Sequence, residues 1–250
     1  MNMTPNSNRR PLRRWPGVAA VAAQWFLWFF LPMIVYMSDG IGTETVALFV
    51  RELALRRVNL HKLFWKEVGV GLYLGFFVAP TDVQQGDAYR IIFVHVPAAW
   101  MSMFLYVIMA AWAGIGLGLN ARPSFMMAQA IAPTGAMFTF LALLTGAMWG
   151  KPTWGAWWVW DARLTSELIL LFLYIGVMLL RASIDDLRRA DRASAVFALV
   201  GVVNVPIIYF SVRWWNTLHQ GASVSMTAAP TMAVTMLTAM LLMTLGFWMY

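Results

Sequence analysis

Five stretches of this chain run for 20 residues or more without a charge: 15–38, 96–121, 124–150, 193–212 and 227–250. A helix crossing a bilayer needs roughly 20 mostly apolar residues. Such runs can be satisfied in lipid only by helices, which bond their own backbone internally. A sixth run, 168–180, reaches spanning length if its helix starts near Leu164 and includes Glu167. The run 68–81 has 14 residues between Glu67 and Asp82 and is too short to span without help from 63–65. The expected fold is therefore an all-α integral membrane protein, a bundle of about six transmembrane helices with a Trp-rich external loop.

Composition narrows the chemistry. Of 250 residues, 61% are hydrophobic and 12% charged, half the charge of an average soluble domain, which excludes a water-soluble globule. There is no Cys and there are three His. That excludes disulfides, thiolate sites and CxxC redox chemistry, and argues against a multi-ligand zinc site. The net charge of +7 comes from basic residues at the ends of apolar runs. It reads as membrane topology rather than nucleic-acid binding. No P-loop, H-E-x-x-H or G-x-S-x-G sequence occurs. The N-terminal run follows Arg9, Arg10, Arg13 and Arg14 but is long and lacks a small-residue cleavage site, so it reads as a signal anchor.

Basic residues also orient the spans. Arg9, Arg10, Arg13, Arg14, Arg122, Arg181, Arg188, Arg189 and Arg192 fall on one side, and Arg90, Lys151, Arg163 and Arg213 on the other. The richer side is expected in the cytoplasm. The stretch 39–67 conflicts with this assignment. It holds Arg51, Arg56, Arg57, Lys62 and Lys66, yet lies outside if 15–38 crosses outward.

The outer segments carry an unusual composition. Trp149, Trp154, Trp157, Trp158 and Trp160 place five indoles within twelve residues, and Trp214 and Trp215 add two on the same side. An interfacial belt places one or two aromatic residues at each helix end. Half of the 14 tryptophans on one face instead suggest a platform for a large, flat, apolar ligand. His95 and His219 fall on that face. A single such histidine is ordinary at a membrane surface, but two beside a Trp platform can give both axial ligands to a haem iron. His61 lies in the ambiguous basic stretch and is read as surface. Arg90, Lys151, Arg163 and Arg213 are the available partners for haem propionates. Asp161 is a candidate N-cap, with Arg163 and Glu167 spaced as an i,i+4 pair. Gly150, Pro152 and Gly155 predict a non-helical Trp segment. Pro97 suits a first helical turn, and Asn204 and Pro206 predict a kink.

Residues 154–161 (WGAWWVWD) resemble the WWD signature of haem-handling proteins in cytochrome c biogenesis. HVPAA from His95, GKPTWG from Gly150, DARLTSEL from Asp161, NVPII from Asn204 and WWNTLHQG ending at Gly221 are similar to the haem exporter protein C (cytochrome c maturation protein C) family. The resemblance is close over about 70–221. It implies a membrane haem-binding factor, not a classical enzyme, that presents haem on the periplasmic face of a bacterial or organellar inner membrane. It also implies work with the ABC-type maturation proteins A and B and the small maturation protein D, and covalent attachment of haem to the haem chaperone, maturation protein E. His95 and His219 become the axial ligands by this resemblance, and Trp154, Trp157, Trp158, Trp160 and Asp161 the haem-contacting signature. With no Cys in the chain, the haem would be non-covalent haem b. Two parts are expected: an N-terminal span region, 1–94, and a five-span haem-handling core, 95–250, with the WWD segment at 149–163. The stretch 39–67 departs from the family pattern, whose first span runs directly into the residues matching 71–86. The alternative reading is the permease subunit of an ABC-type haem or solute exporter, which the near absence of charge within the spans disfavours.

Overall fold

The computed structural model describes residues 60–215, 217–219 and 232–250. The expected span at 15–38 lies outside them, as does the side chain of His61. The described residues form an all-α membrane protein, with a lone bridge between Asp82 and Gly86 in place of any strand.

Helix α1 (Leu60–Tyr73) continues through a π-helical turn, Leu74–Val78. The apolar run 68–81 is thus extended at its N-terminal side through residues 63–65. Lys62, Lys66 and Glu67 lie within the first eight residues of α1. A 3-10 turn, Asp87–Ile91, leads into α2 (Ile92–Leu119). Helices α3 (Arg122–Trp154) and α4 (Ala162–Ala182) follow. Then come α5 (Leu187–Gly201), α6 (Asn204–Trp214) and α7 (Val234–Met249). Among the described residues, four segments are long and apolar enough to cross a membrane by themselves: 87–119, 122–154, 162–182 and 187–214, of 33, 33, 21 and 28 residues.

Local chemistry sets the ends. Asp161 caps α4, its Oδ1 accepting the Leu164 amide at 2.7 Å, and Asp186 caps α5 through the Arg189 amide. The expected kink is a break at 202–203. Pro206 has no N–H for the Val202 carbonyl, and the Val205 amide bonds that carbonyl instead, at 3.0 Å. Pro97 lies inside α2 rather than in its first turn, because the helix begins at Ile92.

The bundle is held by apolar packing and a few buried polar ties. Phe93, Tyr106, Met109, Leu170 and Tyr174 are wholly buried. The Tyr174 hydroxyl donates to the Ser102 carbonyl at 2.8 Å, the Ser102 hydroxyl to Glu167 Oε1 at 2.6 Å, and the Asn204 amide to the Ser166 carbonyl at 2.8 Å. These ties join α2, α4 and α6 in the buried interior, where unpaired polar groups cost most. The end carrying Arg122, Arg181 and Arg192 is tied by Arg181 to Asp191 (2.8 Å) and Arg192 to Asn120 (3.2 Å).

Candidate haem-binding site

Around His95, His219 and the Trp segment, the other end of the bundle is assembled from four elements. Helix α3 runs to Trp154, so Gly150 and Pro152 are helical and the expected break falls later. Thr153 bonds back to the Trp149 carbonyl at 2.7 Å. The chain turns at Gly155, whose φ of 78° is the left-handed conformation that favours glycine at a helix C-terminus. Only 155–161 remain as the irregular link to α4.

His95 sits in the first turn and a half of α2 and faces α3. Its Nδ1 lies 2.9 Å from the Ala142 carbonyl and 3.1 Å from the Thr145 hydroxyl. The carbonyl can only accept, so Nδ1 carries the proton and Nε2 keeps its lone pair. Gly146 makes room for the ring: a Cβ there would stand 3.0 Å from His95 Cε1. Trp149 meets the imidazole edge to face, centroids 5.7 Å apart, and its indole N–H donates to Gln85 at 2.9 Å.

His219 follows the same logic with a different partner. Its Nδ1 lies 3.0 Å from Asp161 Oδ2, with side chains only 12% and 6% exposed. Asp161 thus serves two groups, capping α4 with one oxygen and orienting His219 with the other. Burial pushes the His219 pKa below its ordinary value, against the hydrogen bond and charge of Asp161, which act upward. The ring is therefore neutral at pH 7. Trp154 packs edge to face on it, centroids 4.9 Å apart. Among the described residues, no hydrogen bond engages Nε2 of either histidine. The two rings are near enough to interact electrostatically, and Arg163 acts on both.

The remaining tryptophans divide by exposure. Trp157 and Trp160 are 57% and 75% exposed. Trp158 packs on Trp160 at 5.4 Å, and its buried indole N–H has no partner among the described residues. Trp214 stacks on Phe210. Of the four cations, Arg90 is committed elsewhere. It donates to the carbonyls of Gly75 and Ala79 at 2.8 and 3.0 Å and pairs with Asp87, which ties the end of α1 to the loop carrying Gln85. Lys151 donates to the Gly155 carbonyl at 3.2 Å, and Arg213 is exposed. Of the four, Arg163 is the cation whose charge acts on both histidines. Glu167 pairs with Ser102, while Arg163 feels the charges of both Glu167 and Asp161.

Sequence reasoning missed Gln85, Thr145 and Gly146. The only signal was position: Thr145 and Gly146 lie one turn before Trp149 on the same helix.

These residues suit a planar ligand with a metal at its centre. Two neutral imidazoles present free Nε2 atoms, half-buried Trp149 and Trp154 pack against them, Trp157 and Trp160 stand exposed on the link that follows Trp154, and Trp158 offers an unused donor.

The family model described as Heme exporter protein C matches residues 46–250. The match begins inside the 39–67 stretch. The chain is 58% identical over 154 residues to the Heme exporter protein C of Escherichia coli (strain K12), covering 62% of this chain and 63% of that one. It is 48% identical over 180 residues to the Haemophilus influenzae protein of the same name, covering 72% and 73%. It is also 48% identical over 162 residues to a putative cytochrome c biosynthesis ccmC-like mitochondrial protein of Marchantia polymorpha, covering 64% and 68%. The match thus spans less than two thirds of the Escherichia coli protein. The chain belongs to the heme exporter protein C family.

Proposed function

We propose that this member of the heme exporter protein C family binds non-covalent haem b between His95 and His219 and passes it to a haem chaperone during cytochrome c maturation. One observation carries the reading. Both histidines have Nδ1 bound to a protein acceptor, which leaves Nε2 of each free for iron. His95 and His219 would hold the haem iron, which would supply the Lewis-acid centre that their free Nε2 atoms meet. The chain's own residues orient the rings, exclude water from Asp161, and offer Trp154, Trp157, Trp158 and Trp160 as the apolar wall. Arg163 is the cation placed to meet a propionate.

The positive-inside rule supports a periplasmic site on an inner membrane. Arg122, Arg181 and Arg192 mark the far end of the bundle. Helix α1 ends beside the site, and at 1.5 Å per residue Lys62 lies about 26 Å from Ala79. With α1 crossing, its Lys62 end falls on the cytoplasmic side, and the conflict moves to Arg9, Arg10, Arg13 and Arg14 if 15–38 crosses as well. The partners that fit this role are the ABC-type maturation proteins A and B, the small maturation protein D and, as acceptor, maturation protein E.

The test is the absorption spectrum of purified protein titrated with haem. Wild type should give a low-spin, six-coordinate spectrum that His95→Ala and His219→Ala each disrupt. An unchanged spectrum in both variants overturns the ligand assignment. Changing Trp157, Trp158 and Trp160 together to Ala should lower occupancy while membrane insertion survives. Undiminished occupancy would return those rings to an interfacial belt.

A further inference from the structure

We propose that the two histidines are unequal ligands: Asp161 makes His219 the strong one and leaves His95 the exchangeable one, so haem leaves the site from its His95 side. The inference rests on the haem-binding reading above.

The difference lies in what stands behind each ring. His219 Nδ1–H donates to a carboxylate, Asp161 Oδ2, at 3.0 Å in a buried setting. Hydrogen bonds to an ionised acceptor are roughly twice as strong as neutral ones. They draw the Nδ1 proton away and raise the electron density at Nε2, which strengthens the ligand. The carboxylate cannot swing aside, because Oδ1 is held by the Leu164 amide at 2.7 Å.

His95 Nδ1–H is shared between two neutral acceptors, the Ala142 carbonyl at 2.9 Å and the Thr145 hydroxyl at 3.1 Å. Neither is free to give more. The Ala142 carbonyl lies within an intact helix, and Thr145 turns its own proton to the Leu141 carbonyl at 2.6 Å. Among the described residues, no carboxylate is hydrogen-bonded to this ring. Position alone would rank the pair the other way, since His95 sits on a helix and His219 on a connecting segment. Asp161 reverses that ranking.

On release, His95 would be the ring that lets the metal go, keeping its electron pair on Nε2. The ring stays neutral with its proton on Nδ1. A neutral nitrogen or oxygen donor of the acceptor would take its place, with no electron or proton transferred.

The experiment is titration of the full chain in detergent with ferric haem, followed by absorbance and by the reduction potential. His95→Gly should keep haem in a high-spin form that added imidazole returns to low spin. His219→Gly should bind about 10- to 100-fold more weakly than His95→Gly, the range an outer-shell partner is typically worth. Asp161→Asn keeps an oxygen for the Leu164 amide but removes the charge. It should raise the reduction potential, and combined with His95→Gly it should close the gap to His219→Gly. Asp161→Glu should restore a potential near wild type. The proposal is overturned if His95→Gly and His219→Gly lose haem equally, or if Asp161→Asn leaves the potential unchanged. A wild-type protein without a low-spin spectrum would overturn the haem-binding reading itself, which is a separate outcome.

Discussion

Replacing Gly146 with alanine adds one methyl carbon 3.0 Å from Cε1 of His95, 3.5 Å from Nδ1 and 3.9 Å from Nε2. Carbon atoms pack best at about 3.5–4.0 Å, so the ring must retreat by roughly half an ångström. It is not free to do so, because Nδ1 is held by Ala142 and Thr145. A forced rotation of about 30° off its rotamer costs on the order of 0.5–1.5 kcal/mol, and a weakened hydrogen bond costs about as much again. The total, about 1–3 kcal/mol, corresponds to a loss of roughly 5- to 150-fold in affinity for any ligand that needs Nε2 where it stands. Haem titration of the purified protein measures this directly. Gly118→Ala is the control: nothing lies within 4 Å of that added carbon, and in a helix the change should be neutral or stabilise by about 0.5–1 kcal/mol. If Gly146→Ala binds haem as tightly as wild type with the same spectrum, the placement of His95 against α3 is wrong.

Three further outcomes follow from the same geometry. Gly155→Ala forces an L residue to φ 78° at a cost of about 1–2 kcal/mol, and should lower the thermal midpoint in detergent. Arg90→Met removes the donors to the Gly75 and Ala79 carbonyls. It should destabilise the apo-protein by about 1–3 kcal/mol, whereas a propionate-binding Arg90 would lower haem affinity without changing the apo midpoint. The pKa of His219 is lowered in the folded protein, so its neutral form contributes stability that is full above the ordinary value of 6.5 and lost as the pH falls through the folded one. Thermal stability and haem occupancy should both be level above pH 6.5 and decline on acidification, with a weaker decline in occupancy for His219→Ala.

The helices were legible because uncharged runs of spanning length admit little else in lipid. Where charge interrupts the run, the pattern is ambiguous. Lys62, Lys66 and Glu67 break the apolar stretch that makes α1, and the π-turn at Leu74–Val78 has no periodic signature. Gly150 and Pro152 are breakers by intrinsic preference, yet α3 continues through both. Thr153 bonds back to the Trp149 carbonyl, and the left-handed turn waits for Gly155. Local propensity is a weak prior, and specific hydrogen bonds at a helix end override it. For the site, the chain showed which residue types gather on one face. It could not show that Asp161 divides its two oxygens between a helix amide and His219, because that contact joins residues 58 apart.

That division also bears on how a site can hold a ligand firmly and still release it. Asp161 links His219 to the start of α4, Arg90 fastens the end of α1 to the loop carrying Gln85, and Gln85 holds Trp149 beside His95. The atoms that would face a metal are thus positioned by polar contacts made on the protein side alone. Trp157 and Trp160, by contrast, remain more than half exposed. A ligand gains burial against those rings but need not pull them into place. Its ordering cost is small on the histidine side, and its departure leaves no buried polar group newly unpaired there. A site that depended on the ligand to assemble Asp161 or His95 would bind with a larger entropic penalty, and release would then expose unsatisfied polar groups in an apolar setting.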